Sequence, residues 1–234
     1  MLEAHAPHEA IQTWRGFFIH IATIVLGLII AVGLEQTVEF FHHRHQRLEL
    51  ERQLREVLED DTRVVAADTA TLATFRAYLV DLQVAVDARR RGKTLPPVRP
   101  ASERNSNRLT LPSLAPYEAA KDNGTIALLS TQQLRLFNRV ALQRDLLKGV
   151  YANWFDDLAA IGAFKRRFDY AATGSGDLQV DLDVLSPGEV TEYQALIGTL
   201  MSRVDWLGLR LGIFGDQCRA ILDGARDEKD LTRQ

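Results

Sequence analysis

Histidine is the side chain most often used to move protons or hold a metal, and its placement restricts the chemistry open to this chain. All six histidines, His5, His8, His20, His42, His43 and His45, lie in the first 45 of 234 residues. A Ser-His-Asp or Cys-His relay, or a histidine-ligated zinc, therefore cannot be assembled from residues 46–234 alone. Within the HHRH run, His42 and His45 share a helix face as two potential ligands, but the spacing supplies no third. The run reads first as an interfacial patch beside lipid headgroups and only second as a metal site.

The other chemistry-bearing residues have plainer readings. His20 sits inside an apolar run, where a polar group acts as a relay or snorkels to the interface; one turn from the edge, snorkelling is favoured. Asp177, Asp181 and Asp183 suggest calcium, yet their segment lacks the glycine position and terminal glutamate of an EF-hand loop, so they read as solvated carboxylates. Tyr151, Trp154 and Phe155 stand at helical spacing, which fits a core better than a ligand pocket. Cys218 is the only cysteine, which excludes an intramolecular disulfide and any Cys-x-x-Cys pair. There is no nucleophile-base pair, phosphate loop or metal motif. With 28 Lys+Arg against 31 Asp+Glu and a net charge of −3, no basic field invites nucleic acid. The expectation is a chain with no catalytic, cofactor-binding or metal-ligating residue and no nucleic-acid partner.

The elements that position these residues begin with GFFIHIATIVLGLIIAVGL, Gly16 to Leu34, which carries no charge. Its 19 residues cover roughly 28 Å as a helix, close to the hydrocarbon thickness of a bilayer. Gly16, Phe17, Ile24, Gly27, Ala31 and Leu34 are thus read as a membrane span, within a transmembrane helix over 16–35 that follows a short tail at 1–15. A cleaved signal peptide is the rival, since Ala31-Val32-Gly33 offers small residues. The n-region carries only Arg15 as a basic residue and the apolar run is too long, so an uncleaved anchor is expected. The chain is then a single-pass protein of the inner membrane with the bilayer as a partner. The side that receives the body stays open, because Arg15 precedes the span while Arg44, Arg47, Arg52 and Arg55 follow it at a distance. Gly27 and Ala31 form a small-xxx-small pair that lets two spans approach.

Residues 36–91 lack proline and glycine and read as one amphipathic stem helix. Leu54, Leu58, Asp61, Val65, Asp68, Leu72, Phe75, Leu79, Leu82 and Val86 follow alternating steps of four and three, a heptad seam. Leu54, Leu58, Val65, Leu72, Phe75 and Leu79 are accordingly an oligomer seam, most simply of a parallel homodimer. The competing account packs the same stripe against helices of its own chain. Asp61 and Asp68 are costly on a buried seam and mark either a polar layer or a break, the break being favoured because Val64 and Val65 let the stripe shift.

Residues 92–116 contain five of the seven prolines and read as a mobile, flexible loop. Tyr117 to Asn123 reads as a short helix stopped by Gly124. Ser130 and Gln133 form a capping box that opens a long helix carried through Phe168 and closed by Gly174-Ser175-Gly176. DLQVDLDVL alternates like a strand but has no partner strand, so it reads as an extended connection. Ser186-Pro187-Gly188-Glu189 opens the last helix and Asp223-Gly224 ends it. The fold class is all-α: a transmembrane helix continuing into a stem, then a helical bundle over 117–224 and a polar tail at 225–234.

The run WRGFFIHIATIVLGLIIAVGLEQTVEFFHHRHQ, with APYEAAKDNGTIALL downstream, resembles a group of bacterial proteins that carry one N-terminal span. The apolar IVLGLIIA stretch followed by a charged helix carries the likeness, as do Tyr117, Asn123, Gly124, Leu128 and Leu129. That resemblance implies a membrane-anchored helical body and no particular activity. Two functions stay open: a non-catalytic envelope protein that binds another protein or itself, and a sensor whose bundle takes a small ligand. With only about 15 residues before the span, no effector domain is expected on its other side, which favours the scaffold.

Overall fold

The computed structural model describes residues 14–99, 109–168 and 177–232. Helix α1 (Trp14–Arg90) is followed by α2 (Ala115–Asp122), α3 (Thr131–Arg166) and α4 (Pro187–Leu222), with single 3-10 turns at Thr125–Leu128 and Asp230–Thr232. No strand occurs among the described residues, and the DLQVDLDVL segment is an irregular connection from Asp177 onward. The chain divides into two compact units, Met1–Glu49 and Leu50–Gln234.

Local chemistry explains the helix ends. The 77 residues of α1 form one helix, as expected where no proline or glycine intervenes after Gly33. It stops at Gly92, whose φ of 62° is easy only for glycine, with Lys93 N–H bonding Ala88 C=O (2.9 Å) and Gly92 N–H bonding Arg89 C=O (3.1 Å). Gly224 (φ 95°) closes α4 in the same way through Ala225 N–H to Ala220 C=O (2.8 Å). At the starts of α3 and α4, Ser130 with Gln133 and Ser186 with Glu189 both make the reciprocal capping box that their spacing announces.

In the unit from Leu50 onward, α1 lies alongside α3 and antiparallel to α4. Gln133 bonds Glu51 (2.9 Å) and Tyr151 reaches Asp68, while Arg76 pairs with Asp205 (2.6 Å) and Gln194 bonds Asp87 (2.8 Å). Helices α3 and α4 run antiparallel, with Arg203 bonded to Asp157 (2.9 Å). The stripe that reads as an oligomer seam is covered here. Leu54, Leu58, Val65, Leu72, Phe75 and Leu79 are buried in one core with Val140, Leu147, Leu200 and Leu207 of α3 and α4. Each such leucine contributes about 1.5–3 kcal/mol whichever partner covers it, and a partner in the same chain carries no association cost. The seam is therefore an intramolecular one.

Three further expectations need correction. The stripe does not break at Asp61 or Asp68, which stay on the seam and are both buried. The described ends of the 92–116 loop are not loose, because Leu95, Val98, Leu109 and Leu111 pack on the core and Leu114 is wholly buried; positions 100–108 lie outside the described residues. Helix α3 ends at Arg166, before Phe168, and Gly174-Ser175-Gly176 lie outside the described residues. Within the polar tail, Leu231 folds back into a small apolar cluster with Leu136 and Ala220. The tail positions 1–13 and 233–234 also lie outside the described residues.

Candidate functional site

The chemistry that the fold concentrates is a buried polar ladder along α1, not any of the clusters conspicuous in the sequence. Asp61 and Asp68 are each 3 % exposed and one heptad apart. Seven residues of helix rise roughly 10.5 Å. Facing them, Ser113 N–H donates to Asp61 Oδ1 (3.0 Å), and Thr110 N–H donates to Asp68 Oδ2 (3.0 Å) and Oδ1 (3.2 Å). Three residues of drawn-out chain also reach roughly 10 Å. The spacing of the carboxylates thus matches that of the donors, and residues 109–114 lie as a strap antiparallel to α1. A buried carboxylate that would break a coiled-coil seam is tolerated because it accepts otherwise unpaired backbone donors.

Helix α3 holds the strap from the other side. Tyr151 Oη donates to Asp68 Oδ2 (2.9 Å). Arg144, its side chain 5 % exposed, donates to Ser113 C=O (3.0 Å), to Glu118 of α2 (2.6 Å) and to Asp145 (2.9 Å). The strap ends at Leu114, whose φ of 46° is left-handed, a conformation costing a β-carbon residue about 1–2 kcal/mol. Complete burial of the Leu114 side chain and the acceptance of Tyr117 and Glu118 N–H by its carbonyl offset that cost.

Electrostatics follow from the burial. Desolvation raises the Asp61 carboxyl above the usual carboxylate range, against the lowering effect of the Ser113 and Leu114 backbone and of Arg144. It raises Asp68 likewise, against Tyr151 and Thr110. Asp61 Oδ2 is buried with no hydrogen-bond donor, which points the same way. Burial, then the Asp68 carboxylate, pushes the Tyr151 phenol far up, and burial does the same to the Cys218 thiol beside Asp61. Neither group is activated as a nucleophile or base at neutral pH. No family model matches the chain, and no match was found among curated proteins or solved structures. The ladder's role rests on its geometry.

Residues singled out from sequence are placed as follows. His42, His43 and His45 are exposed, and Gln46 Nε2 lies 2.9 Å from His42 Nε2. Among the described residues, no group of three His, Cys, Asp or Glu is arranged to hold a metal ion. Asp177 is structural, with Oδ1 accepting from Tyr78 Oη (3.1 Å) and Gln179 N–H (2.9 Å), while Asp181 accepts from Asp183 N–H (3.0 Å). Of the aromatic trio, Tyr151 and Trp154 pack towards Asp68 and Phe75, whereas Phe155 is exposed. Phe17, Ile24 and Leu34 are exposed, and a β-carbon at Gly27 meets nothing within 4 Å. Arg144 was the residue least visible in advance, although a cation between Val140 and Leu147 on an apolar face is a recognisable sign of a buried, paired group.

Proposed function

We propose that the chain is a membrane-anchored, non-catalytic helical protein of the cell envelope that serves as an interaction or scaffold module at the inner membrane. The observation that supports it most is in α1. One 18-residue window of that helix is long and apolar enough to cross a membrane, and none of it is buried by protein. Phe18, Ile24, Leu28, Ile29 and Leu34 are each exposed by half or more. In water, so large an apolar surface is strongly unfavourable, and a bilayer removes that cost.

The scaffold part of the proposal draws on where the polar groups are engaged. Asp61, Asp68, Arg144 and Tyr151 are spent on holding a strap and a helix against the body, which leaves them committed to structure and not to a ligand. The alternative, a ligand sensor, has a cleft of about 150 Å³ between Leu82, Leu95, Val98, Val180 and Tyr193. That is well short of the roughly 300–1,000 Å³ of typical ligand pockets; of the larger hollows, that of about 500 Å³ lies along one side of α1 from Leu34 to His42, and that of about 370 Å³ between Gln132, Arg135 and residues 226–229 has no apolar side chain in its lining, so the scaffold is preferred.

Membrane fractionation of cells expressing the full chain tests the anchor. Wild type should pellet with membranes and resist alkaline carbonate. Ile24→Arg with Ile29→Arg, each costing about 2.5–3.5 kcal/mol at a bilayer centre, should move the chain to the carbonate-soluble fraction. Wild-type protein released by carbonate would overturn the reading.

A further inference from the structure

We propose that residues 109–114 form a proton-coupled latch: the strap docks over Asp61 and Asp68 with uptake of protons, tightening on acidification and loosening toward neutrality. Geometry supplies the direction. Closing the strap brings the Ser113 N–H to Asp61 Oδ1 and the Leu114 N–H toward the same carboxylate, but Oδ2 stays sealed from water without a hydrogen bond. An ionised carboxylate buried with one oxygen unsatisfied is costly, whereas a neutral acid tolerates this enclosure better. Asp68 is better served, by Thr110 N–H and Tyr151 Oη, yet it is buried to the same degree.

The charged surroundings have been set for this balance from each packed element. Around Asp61 stand Asp60 on α1, which disfavours a second negative charge, Arg144 on α3, which favours it, and the neutral thiol of Cys218 on α4. The Arg144 charge is shared with Glu118 and Asp145, so little of it is free to stabilise Asp61. Asp68 faces the Tyr151 phenol of α3 and the strap backbone. Both carboxyls are raised by burial in the docked state.

The sign of the linkage is then determined. Undocking exposes the two carboxyls and returns them toward 3.8, so the docked state retains protons to higher pH than the undocked one. Docking strengthens as pH falls through the raised values and levels off near the ordinary carboxylate value. Each unit by which docking raises one carboxyl changes the docking constant by up to about tenfold. The buried Leu114 side chain holds the strap in place at any pH, so the two carboxyls alone supply the pH dependence. The latch does not depend on the membrane reading.

Hydrogen exchange of the full chain in mild detergent tests the latch, read on peptides covering 109–115 and corrected for the intrinsic pH dependence of exchange. Protection should rise at least about fivefold from about pH 7.5 to about pH 4.5 in wild type. Asp61→Asn with Asp68→Asn, neutral at both values, should be flat while α4 peptides keep their protection. Asp61→Asn alone retains an acceptor for Ser113 N–H and should show a reduced slope; it serves where the double change impairs folding. A wild-type profile that is flat or falls on acidification overturns the proposal, as does a double variant that keeps the wild-type slope.

Discussion

Adding one methyl group at Gly215 tests whether the stem seam is satisfied within the chain. A β-carbon built there meets Val65 Cγ1 at 2.9 Å and Val65 Cβ at 3.6 Å. Carbon atoms pack best at about 3.5–4.0 Å, and a β-branched side chain in a helix has one strongly preferred rotamer, so Val65 cannot turn away. Relief requires α1 and α4 to separate, at a cost of about 1–3 kcal/mol for an overpacked core. Against this, replacing glycine by alanine inside a helix contributes about 1 kcal/mol in helix propensity. Gly215→Ala in the wild type is therefore expected to be destabilising by up to about 2 kcal/mol. Val65→Ala alone removes two methyl groups at about 0.8 kcal/mol each and leaves a small cavity, for a loss of about 1.5–3 kcal/mol. In that background the clash is gone, and Gly215→Ala should stabilise by about 1 kcal/mol. The coupling between the two changes is then about 1–3 kcal/mol, with a reversal of sign for the alanine. Urea unfolding of the full chain in mild detergent, followed by the fluorescence of Trp154 and Trp206, reports it through the midpoint at constant slope. Additivity within about 0.5 kcal/mol would refute the close approach of these helices and return Val65 to the list of candidate intermolecular contacts.

Two other outcomes are expected. Arg144→Met should destabilise the body by about 1–3 kcal/mol, chiefly through the lost charge-assisted bonds to Ser113 C=O and Glu118; the partly exposed carboxylates of Glu118 and Asp145 recover water, so a loss above about 4 kcal/mol in the same unfolding assay would contradict the assignment. Ser186→Ala should cost about 1 kcal/mol by removing the acceptor for Glu189 N–H at the start of α4, and Ser186→Asp should restore most of it. Equal stabilities for Ser186→Ala and wild type would show that the box contributes nothing.

The helices and their ends were legible in the sequence because their causes are local. Ser130 with Gln133 and Ser186 with Glu189 each need only a three-residue span to satisfy backbone donors, and Gly92 and Gly224 stop helices by their own conformational freedom. The apolar run is local too, since nineteen uncharged residues, long and apolar enough to cross a membrane, identify themselves without a partner. The end of α3 was misplaced by a few residues, where Phe168 continued the apolar spacing past the point at which the backbone leaves the helix.

What the sequence determined by itself was which residues of the stem avoid water; what covers them was decided only in three dimensions. A heptad stripe has the same pattern whether a second copy or α3 and α4 of the same chain lies against it, because burial is non-directional. The fate of Asp61 and Asp68 was decided the same way. A carboxylate on a seam is read locally as a break, and only donors 52 and 42 residues away, at Ser113 and Thr110, convert it into a fastening point. Arg144 and the left-handed Leu114 belong to that same remote arrangement. Local propensity places the helices, whereas buried polar groups are settled by partners that only the folded chain brings within hydrogen-bond reach.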